Sequence, residues 1–304
     1  MIPKNFENKY KLLFEKEYDE IISINRDYIK SAIRVNTIKI SKKELTSRIM
    51  DKGWKIKQIP WFENGFFVET EEDKSKTPEY LLGYYYIQES ISMLPPVILD
   101  AKENERVLDL AASPGSKTTQ MAAMMNNKGL IVANDIKMKR LVALRFNLQK
   151  YGVINTIVTN MDGRQFQNLN IKFDKVLLDA PCSNSGMFFK NPTLFKYWNQ
   201  SRINEMSRLQ KQLLQSASKC LTDDGIIVYS TCSLEPEENE EVIDYAVNCL
   251  NLNVEKVNIK GLKYHKGLKS FEKKEYSSEV KKCLRIMPND NFTEGFFVCK
   301  LKKS

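Results

Sequence analysis

Two cysteines sit where a thiol could react. Cys182 lies in D-A-P-C-S-N-S-G, Asp179 to Gly186, and Cys232 in Y-S-T-C-S-L-E-P-E-E-N-E, Tyr229 to Glu240. A buried cysteine is usually an inert small hydrophobe, and Cys220, Cys249, Cys283 and Cys299 fit that description. Cys182 and Cys232 stand instead among Pro, Ser, Thr and Asn. A thiol near a helix N-terminus has a lowered pKa and is a better nucleophile, and Pro236 marks such a terminus after Cys232. No Cys-x-x-Cys pair is present, which argues against a zinc ribbon or knuckle. The single histidine, His265, builds neither a poly-His metal site nor a Ser-His-Asp triad away from it, and it falls outside every motif, as a surface loop residue would.

The elements that must position these thiols follow from periodicity. From residue 105 strands alternate with helices. The predicted strands are Arg106–Ala111, Leu130–Asp135, Thr156–Asp162, Asp174–Pro181 and Gly225–Ser233, with a final strand over Gly295–Leu301. Helices are predicted near 116–126, 137–151, 201–221 and 236–250. Such alternation gives a mostly parallel α/β sheet covered on both faces, with ligands beyond the carboxyl ends of its strands. The front of the chain reads as a small α+β domain. It has a helix over 4–24, a strand over 31–40, and a helix opened by the capping box Ser41-x-x-Glu44 and ended at Gly53. Two short strands near 54–59 and 65–70 follow. The polar stretch Glu69 to Lys76 is the expected linker, dividing the chain into 1–76 and 77–304. Thr77-Pro78 opens the next helix as cap and first helical residue.

Four successive strands carry an acid at or near their carboxyl ends: Asp109, Asp135, Asp162 and Asp179. One such acid is commonplace because Asp caps helices; four in register are hard to explain by capping alone. A carboxylate after the second strand suits the two hydroxyls of a ribose, and Arg140 lies five residues beyond Asp135. The first strand runs into D-L-A-A-S-P-G-S-K-T-T, Asp109 to Thr119, where small residues let a ligand approach the backbone and a new helix N-terminus offers free amides. It is neither a Walker loop nor G-x-G-x-x-G. Taken alone, a tight strand-to-helix turn would look the same.

On these residues the chain resembles the Nop/Sun family of RNA cytosine-5 methyltransferases. The likeness runs over roughly 77–303, with a shorter stretch at Ile33–Thr37, and the final G-F-F-V, Gly295 to Val298, resembles the family's closing strand. The resemblance implies a seven-stranded class I, Rossmann-like methyltransferase sheet plus the small α+β domain, and S-adenosyl-L-methionine as cofactor. It implies that Ala111, Ala112, Ser113, Pro114, Gly115, Ser116 and Lys117 wrap the cofactor's methionine end. Asp135 holds the ribose with Arg140 beside it, Asp162 accepts from the adenine amino group, and Asp179 sits between cofactor and base. It implies that Cys232 adds to carbon 6 of cytosine, activating carbon 5, and that Cys182 assists release of the methylated product. Lys117 and Asp179 are placed beside the target base. DNA cytosine methyltransferases, whose cysteine follows a proline at this strand, suggest the opposite order with Cys182 attacking. Two positions depart from the family: Asn184 and Ser116 stand where glycine is common.

Composition and charge agree with an RNA partner. The chain has 304 residues, 42% hydrophobic and 28% charged, with net charge +9. Lys30 to Lys57 carries nine basic residues against two acidic ones, and Lys256 to Ser304 thirteen against five. Two basic blocks around a mildly acidic middle suit a polyanion, though a lysine-rich solvated surface has the same composition. The front domain is the expected RNA-binding part, and the target base must be single-stranded or flipped out. Phe188, Phe189 and Trp198 are candidates to wall the pocket, with ordinary core packing expected for at least two of them. The compact chain suggests transfer RNA, with ribosomal RNA second. A non-catalytic RNA-binding assembly factor is the rival reading, against which the cysteine pair argues. The start Met1 to Tyr10 has no apolar signal region, and no run would cross a bilayer, so a cytoplasmic monomer with no metal or membrane partner is expected.

Overall fold

The structure is a computed structural model that describes residues 3–24 and 26–303. In chain order the front part contains α1 (Lys4–Phe14), α2 (Tyr18–Ser23), β1 (Ala32–Val35), α3 (Lys42–Asp51), β2 (Lys55–Gln58), β3 (Gly65–Glu69), α4 (Pro78–Leu81) and β4 (Tyr85–Ile87). The predicted 4–24 helix is interrupted: Glu15 takes φ 48, and a 3-10 turn over Glu15–Glu17 separates α1 from α2. The capping box forms, with Ser41 Oγ accepting the Glu44 amide at 3.2 Å, and Thr77 Oγ1 caps α4 by accepting the Tyr80 amide at 3.1 Å.

The small sheet has the order β2-β3-β1-β4, all antiparallel. Because β4 pairs with β1, this sheet reaches past the boundary predicted at 76/77. The 70–76 stretch is a loop inside the front unit, with 3-10 geometry over Lys74–Lys76, and Glu69 still belongs to β3. The strand predicted over 31–40 shortens to β1, because the chain turns after Val35 to bind the larger unit.

The larger part contains α5 (Leu94–Leu99), β5 (Arg106–Asp109), α6 (Ser116–Met124), β6 (Leu130–Asn134), α7 (Met138–Tyr151), β7 (Thr156–Thr159), β8 (Phe173–Asp179), α8 (Gln200–Lys219) and β9 (Leu221–Thr231). It continues through α9 (Glu240–Leu250), β10 (Leu252–Glu255), β11 (His265–Lys266), the hairpin β12 (Ser270–Phe271) and β13 (Lys274–Glu275), β14 (Leu284–Ile286) and β15 (Phe296–Lys303). Strands β5 to β9 are mutually parallel, while β15 runs antiparallel between β9 and β14. Those seven strands match the expected count. The sheet is nine-stranded because β10 pairs with β15 and β11 with β14. Strand β11 lies in the lysine-rich tail without an apolar alternation to mark it, whereas β10, Leu-Asn-Val-Glu, alternates but is only four residues long.

Both faces of the sheet are covered, as its apolar runs require. Alternate residues point to opposite sides. Val176, Leu178, Ile227 and Tyr229 pack against α8 and α9, whereas Leu177 and Val228 pack against α5 and α6. The apolar face of α1 and α2, with Phe6, Tyr10, Phe14 and Ile21, is buried on Phe188, Phe189, Phe195 and Leu234 of the larger unit. The chain order reverses between β5 and β8: β6 and β7 extend one way, β9 the other. That switch point leaves a crevice outside the carboxyl ends of β5, β6 and β8.

Candidate active site

A cavity of about 880 Å³ opens at this crevice. Its walls include Ala111, Ser113, Asp135, Arg140, Asp162 and Asp179, and also both Cys182 and Cys232. The loop after β9 and the loop after β8 therefore deliver their thiols to the same space as the acids of β6 and β8. Cys182 Sγ and Cys232 Sγ are 3.2 Å apart as free thiols. The Cys232 thiol donates to Asn184 Oδ1 at 3.0 Å, and Cys182 lies 3.6 Å from the same oxygen. Asn184 takes the left-handed conformation, φ 60 and ψ 28, which glycine and asparagine tolerate best. Here asparagine adds an acceptor that glycine lacks.

The two thiols differ in environment. Cys182 is buried, and Cys232 is partly exposed to the cavity. The hydrogen bond to Cys232 and then burial push the Cys182 thiol well above its ordinary pKa. The expected activation by a helix beginning at Pro236 is not found. The segment after Cys232 makes turns through residue 239, and α9 starts at Glu240.

Lys117 is the second residue of α6 and reaches Asp179 Oδ2 at 2.6 Å and Ser92 Oγ at 3.0 Å. Burial alone would lower its ammonium, but the Asp179 carboxylate more than offsets this and holds the pKa above its usual value. Lys117 is thus a fixed cation and hydrogen-bond donor. The other Asp179 oxygen accepts from Ser230 Oγ at 2.8 Å. Asp109, fully buried, accepts from Thr118 Oγ1 at 2.7 Å, and burial pushes its carboxyl to about 7.

The residues present fit S-adenosyl-L-methionine. Asp135 is buried, with Oδ1 accepting the Lys137 amide at 2.9 Å. Its Oδ2 faces Arg140 at 3.3 Å but has no aligned hydrogen bond, and Ser113 Oγ is likewise unpartnered. A buried carboxylate oxygen left open at a cavity wall suits a ribose hydroxyl. Asp162 lies beyond β7 rather than at its end. It caps a 3-10 turn and is chelated by Arg164 at 2.5 and 3.0 Å, so an adenine amino group would share it. Ala112, Pro114, Gly115 and Ser116 lie behind the cavity wall and shape the loop. Ala112 packs on Leu141 and Leu144. The Pro114 carbonyl accepts from Asn147 Nδ2 at 2.8 Å. At Gly115, φ 101, a Cβ would meet Leu144 Cδ1 at 2.8 Å. The Ser116 carbonyl accepts from Arg34.

Arg34 corrects the charge reading of the first basic block. It is buried, hydrogen-bonded to Gln88 Oε1 at 2.9 Å and Thr119 Oγ1 at 2.7 Å, and packed on Tyr86. Lys43, Lys55 and Lys57 of the same block are exposed. Asn36, two residues on, donates to the Gly83 and Tyr151 carbonyls at 2.8 and 2.9 Å. The Ile33–Thr37 stretch thus docks the front sheet onto α6 and α7, the helices that follow β5 and β6.

Phe188 and Phe189 are core residues under α1, and Trp198 gives its Nε1 to Glu235 at 2.8 Å; none of the three is among the cavity walls. Cys249 is exposed rather than buried, whereas Cys220, Cys283 and Cys299 are buried. His265 is exposed on β11 and sits 3.3 Å from Asp290. Sequence reasoning missed Arg164, Arg202 and Arg208 as cavity residues. It quoted Glu238 only as part of a motif; this acid is buried, and burial pushes it to about 7. No helix among the described residues is long and apolar enough to cross a membrane.

A switch-point crevice with a buried, open carboxylate just beyond β6 and two free thiols beyond β8 and β9 fits a class I S-adenosylmethionine-dependent methyltransferase. The chain belongs to the family described as 16S rRNA methyltransferase RsmB/F, which it matches over residues 96–302, and residues 2–90 match the N-terminal domain of 16S rRNA methyltransferase RsmF. Among relatives, the tRNA (cytosine(49)-C(5))-methyltransferase of Pyrococcus abyssi is 43% identical over 90% of this chain and 88% of its own length. The ribosomal RNA small subunit methyltransferase F of Vibrio vulnificus is 38% identical over 99% of this chain. The chain spans 64% of the length of that bacterial relative. A methyltransferase homolog from Pyrococcus horikoshii superposes with TM-score 0.88 at 38% identity, covering 99% of this chain and 95% of its own. NSun6 from the same organism, solved with SFG, superposes with TM-score 0.87 at 26% identity, covering 99% and 98%. The Nop/Sun resemblance and the fold it implied are thus found.

Proposed function

We propose that this chain methylates carbon 5 of cytosine in RNA, with transfer RNA as the substrate class. The observation that carries the reading is the thiol pair, 3.2 Å apart, on the wall of the cavity that holds Asp135. Small-molecule and amino-group methyl transfer have no use for two thiols. Transfer RNA is favoured by the 43% identity to the archaeal tRNA enzyme. Ribosomal RNA is the second reading, supported by the family descriptions.

S-adenosylmethionine supplies an electrophilic methyl group on a sulfonium. The chain's own residues do the rest. The partly exposed Cys232 is the better placed attacking thiol, because Cys182 is buried and its thiol holds its proton. Addition of the Cys232 thiolate to carbon 6 makes an enamine and raises electron density at carbon 5. Asp179, fixed by Lys117 and Ser230, is placed to accept from the cytosine and to stabilise its protonated ring. After transfer, the carbon 5 proton leaves to a base and the carbon 6–sulfur bond breaks, returning the thiolate. Cys182, beside Cys232, serves that release. Asp135 and Arg140 orient the ribose, and Asp162 the adenine.

The test is methyl transfer from labelled S-adenosylmethionine to purified tRNA and to small ribosomal subunits, followed by nucleoside mass spectrometry. Labelled 5-methylcytidine in tRNA is the expected product. A label on any other nucleoside would refute the chemistry, and a label confined to ribosomal RNA would move the substrate to the second reading.

A further inference from the structure

We propose that Glu238 is the positioning residue that fixes the spacing of the two cysteine loops. Each cysteine is followed by a serine, and the Glu238 carboxylate takes a hydrogen from both. Oε2 accepts the Ser183 amide at 2.9 Å, and Oε1 accepts Ser233 Oγ at 3.1 Å. Gln210 of α8 completes the grip: its Nε2 donates to Glu238 Oε2 and to the Pro181 carbonyl, both at 2.9 Å. The atoms immediately before and after Cys182 are therefore both held by this pair. Cys232, by contrast, continues directly from β9. Asn239 holds its neighbour independently through the Ser233 carbonyl at 2.8 Å.

Glu238 and Gln210 are completely buried, and no cation hydrogen-bonds or ion-pairs with the carboxylate among the described residues. An unpaired buried acid is a costly way to fill space, and an apolar residue would pack more cheaply. What the carboxylate does that an apolar side chain cannot is accept at two points on two different loops. It does not line the cavity, so it acts through Cys182 and not on substrate. Loosening it should leave attack by Cys232 largely intact and impair release. The residues flanking Cys182 lose the ties that Glu238 and Gln210 give them, while the β9 end is unaffected. Ser185 and Gly186, further along, stay bonded to the Cys232 loop.

The proposal rests on the reading that Cys232 attacks and Cys182 releases. The experiment measures turnover, cofactor KM and the fraction of enzyme trapped covalently on RNA in denaturing gels. The variants are Glu238→Ala, Glu238→Gln and Gln210→Ala, with Cys182→Ala as reference. Glu238→Ala is expected to cut kcat about tenfold to a hundredfold, the cost of a misplacement on the order of 1 Å, to accumulate adduct, and to leave cofactor KM unchanged. Glu238→Gln keeps an acceptor for the Ser183 amide and can donate to Ser233 Oγ, so it should restore most of kcat. If Glu238→Ala fails to fold, Gln210→Ala should show the same shift toward adduct. A loss of kcat without adduct, or with a parallel rise in cofactor KM, overturns the proposal. If Cys182→Ala traps adduct and the Glu238 and Gln210 variants do not, the positioning role alone falls. If Cys182→Ala traps none, the division of labour between the thiols falls first.

Discussion

Glu240 and Arg285 form a buried ion pair whose loss should be measurable in isolation. Arg285 Nε donates to Glu240 Oε1 at 3.0 Å and its NH2 group to Oε2 at 2.9 Å, with both side chains almost fully buried. Arg285 also donates to the Leu234 carbonyl at 2.9 Å, two residues beyond Cys232. Glu240→Leu leaves a buried guanidinium without its anion, which costs about 3–5 kcal/mol. Unfolding entropy of ~2.1 cal/mol/K per residue gives roughly 0.6 kcal/mol/K for this chain, so the midpoint should fall by about 5–8 °C. Arg285→Met should cost a similar amount for the mirror-image reason. The double variant removes both charges, and replacing a whole buried pair by apolar groups is often neutral. Its stability should return to within about 1 kcal/mol of the parent, giving a large favourable coupling in the cycle. Calorimetry and urea titration of the four proteins decide this. Additive losses, or single variants that lose less than about 1 kcal/mol, would refute the reasoning that the pair is dry and mutually dependent.

Other sites give independent expectations. At Gly186 an added Cβ would meet the Gly295 carbonyl oxygen at 2.1 Å and the Cys232 carbonyl oxygen at 2.9 Å. Gly186→Ala should therefore destabilise by about 1–3 kcal/mol or more and lower kcat by moving Cys232; an unchanged thermal midpoint would contradict the contact. Asp109 is held at about 7 by burial, so the native chain binds its proton more tightly than the unfolded one. That contribution is present below the ordinary carboxyl range near ~4 and is lost as pH rises through 7. Asp109→Asn should flatten the fall in urea midpoint between about pH 4 and 7, and an identical slope would count against the buried acid. Asp135→Ala removes a charged acceptor worth about 1.5–3 kcal/mol, so cofactor Kd by calorimetry should rise about tenfold to a hundredfold; an unaltered Kd would place the ribose elsewhere.

Much of this arrangement is legible in the sequence. Parallel strands covered on both faces leave long apolar runs, and Asp109, Asp135 and Asp179 stand out at the ends of such runs. Cys182 and Cys232 stand out for the opposite reason, since each lies among Pro, Ser, Thr and Asn rather than in an apolar run. Less legible was whatever depends on contact between distant segments. Strand β4 pairs with β1 across more than fifty residues, so no local signal set the edge of the small sheet. Arg34 looks like a surface cation in a basic block, and only the docking of β1 on α6 buries it. The 3-10 break at Glu15 leaves the spacing of Phe6, Tyr10 and Ile21 almost helical, so periodicity alone ran through it. Glu238 looked like one acid among several because its role depends on Ser183 and Gln210, 55 and 28 residues away.

The most direct measurement is the covalent state of the two cysteine variants on RNA. Enzyme carrying Cys232→Ala or Cys182→Ala is incubated with S-adenosylmethionine and tRNA, then resolved under denaturing conditions and mapped by mass spectrometry. Cys182→Ala is predicted to carry RNA bonded through Cys232, and Cys232→Ala to carry none and to be inactive. RNA bonded through Cys182 in the Cys232→Ala protein, or full activity in that protein, would contradict the account.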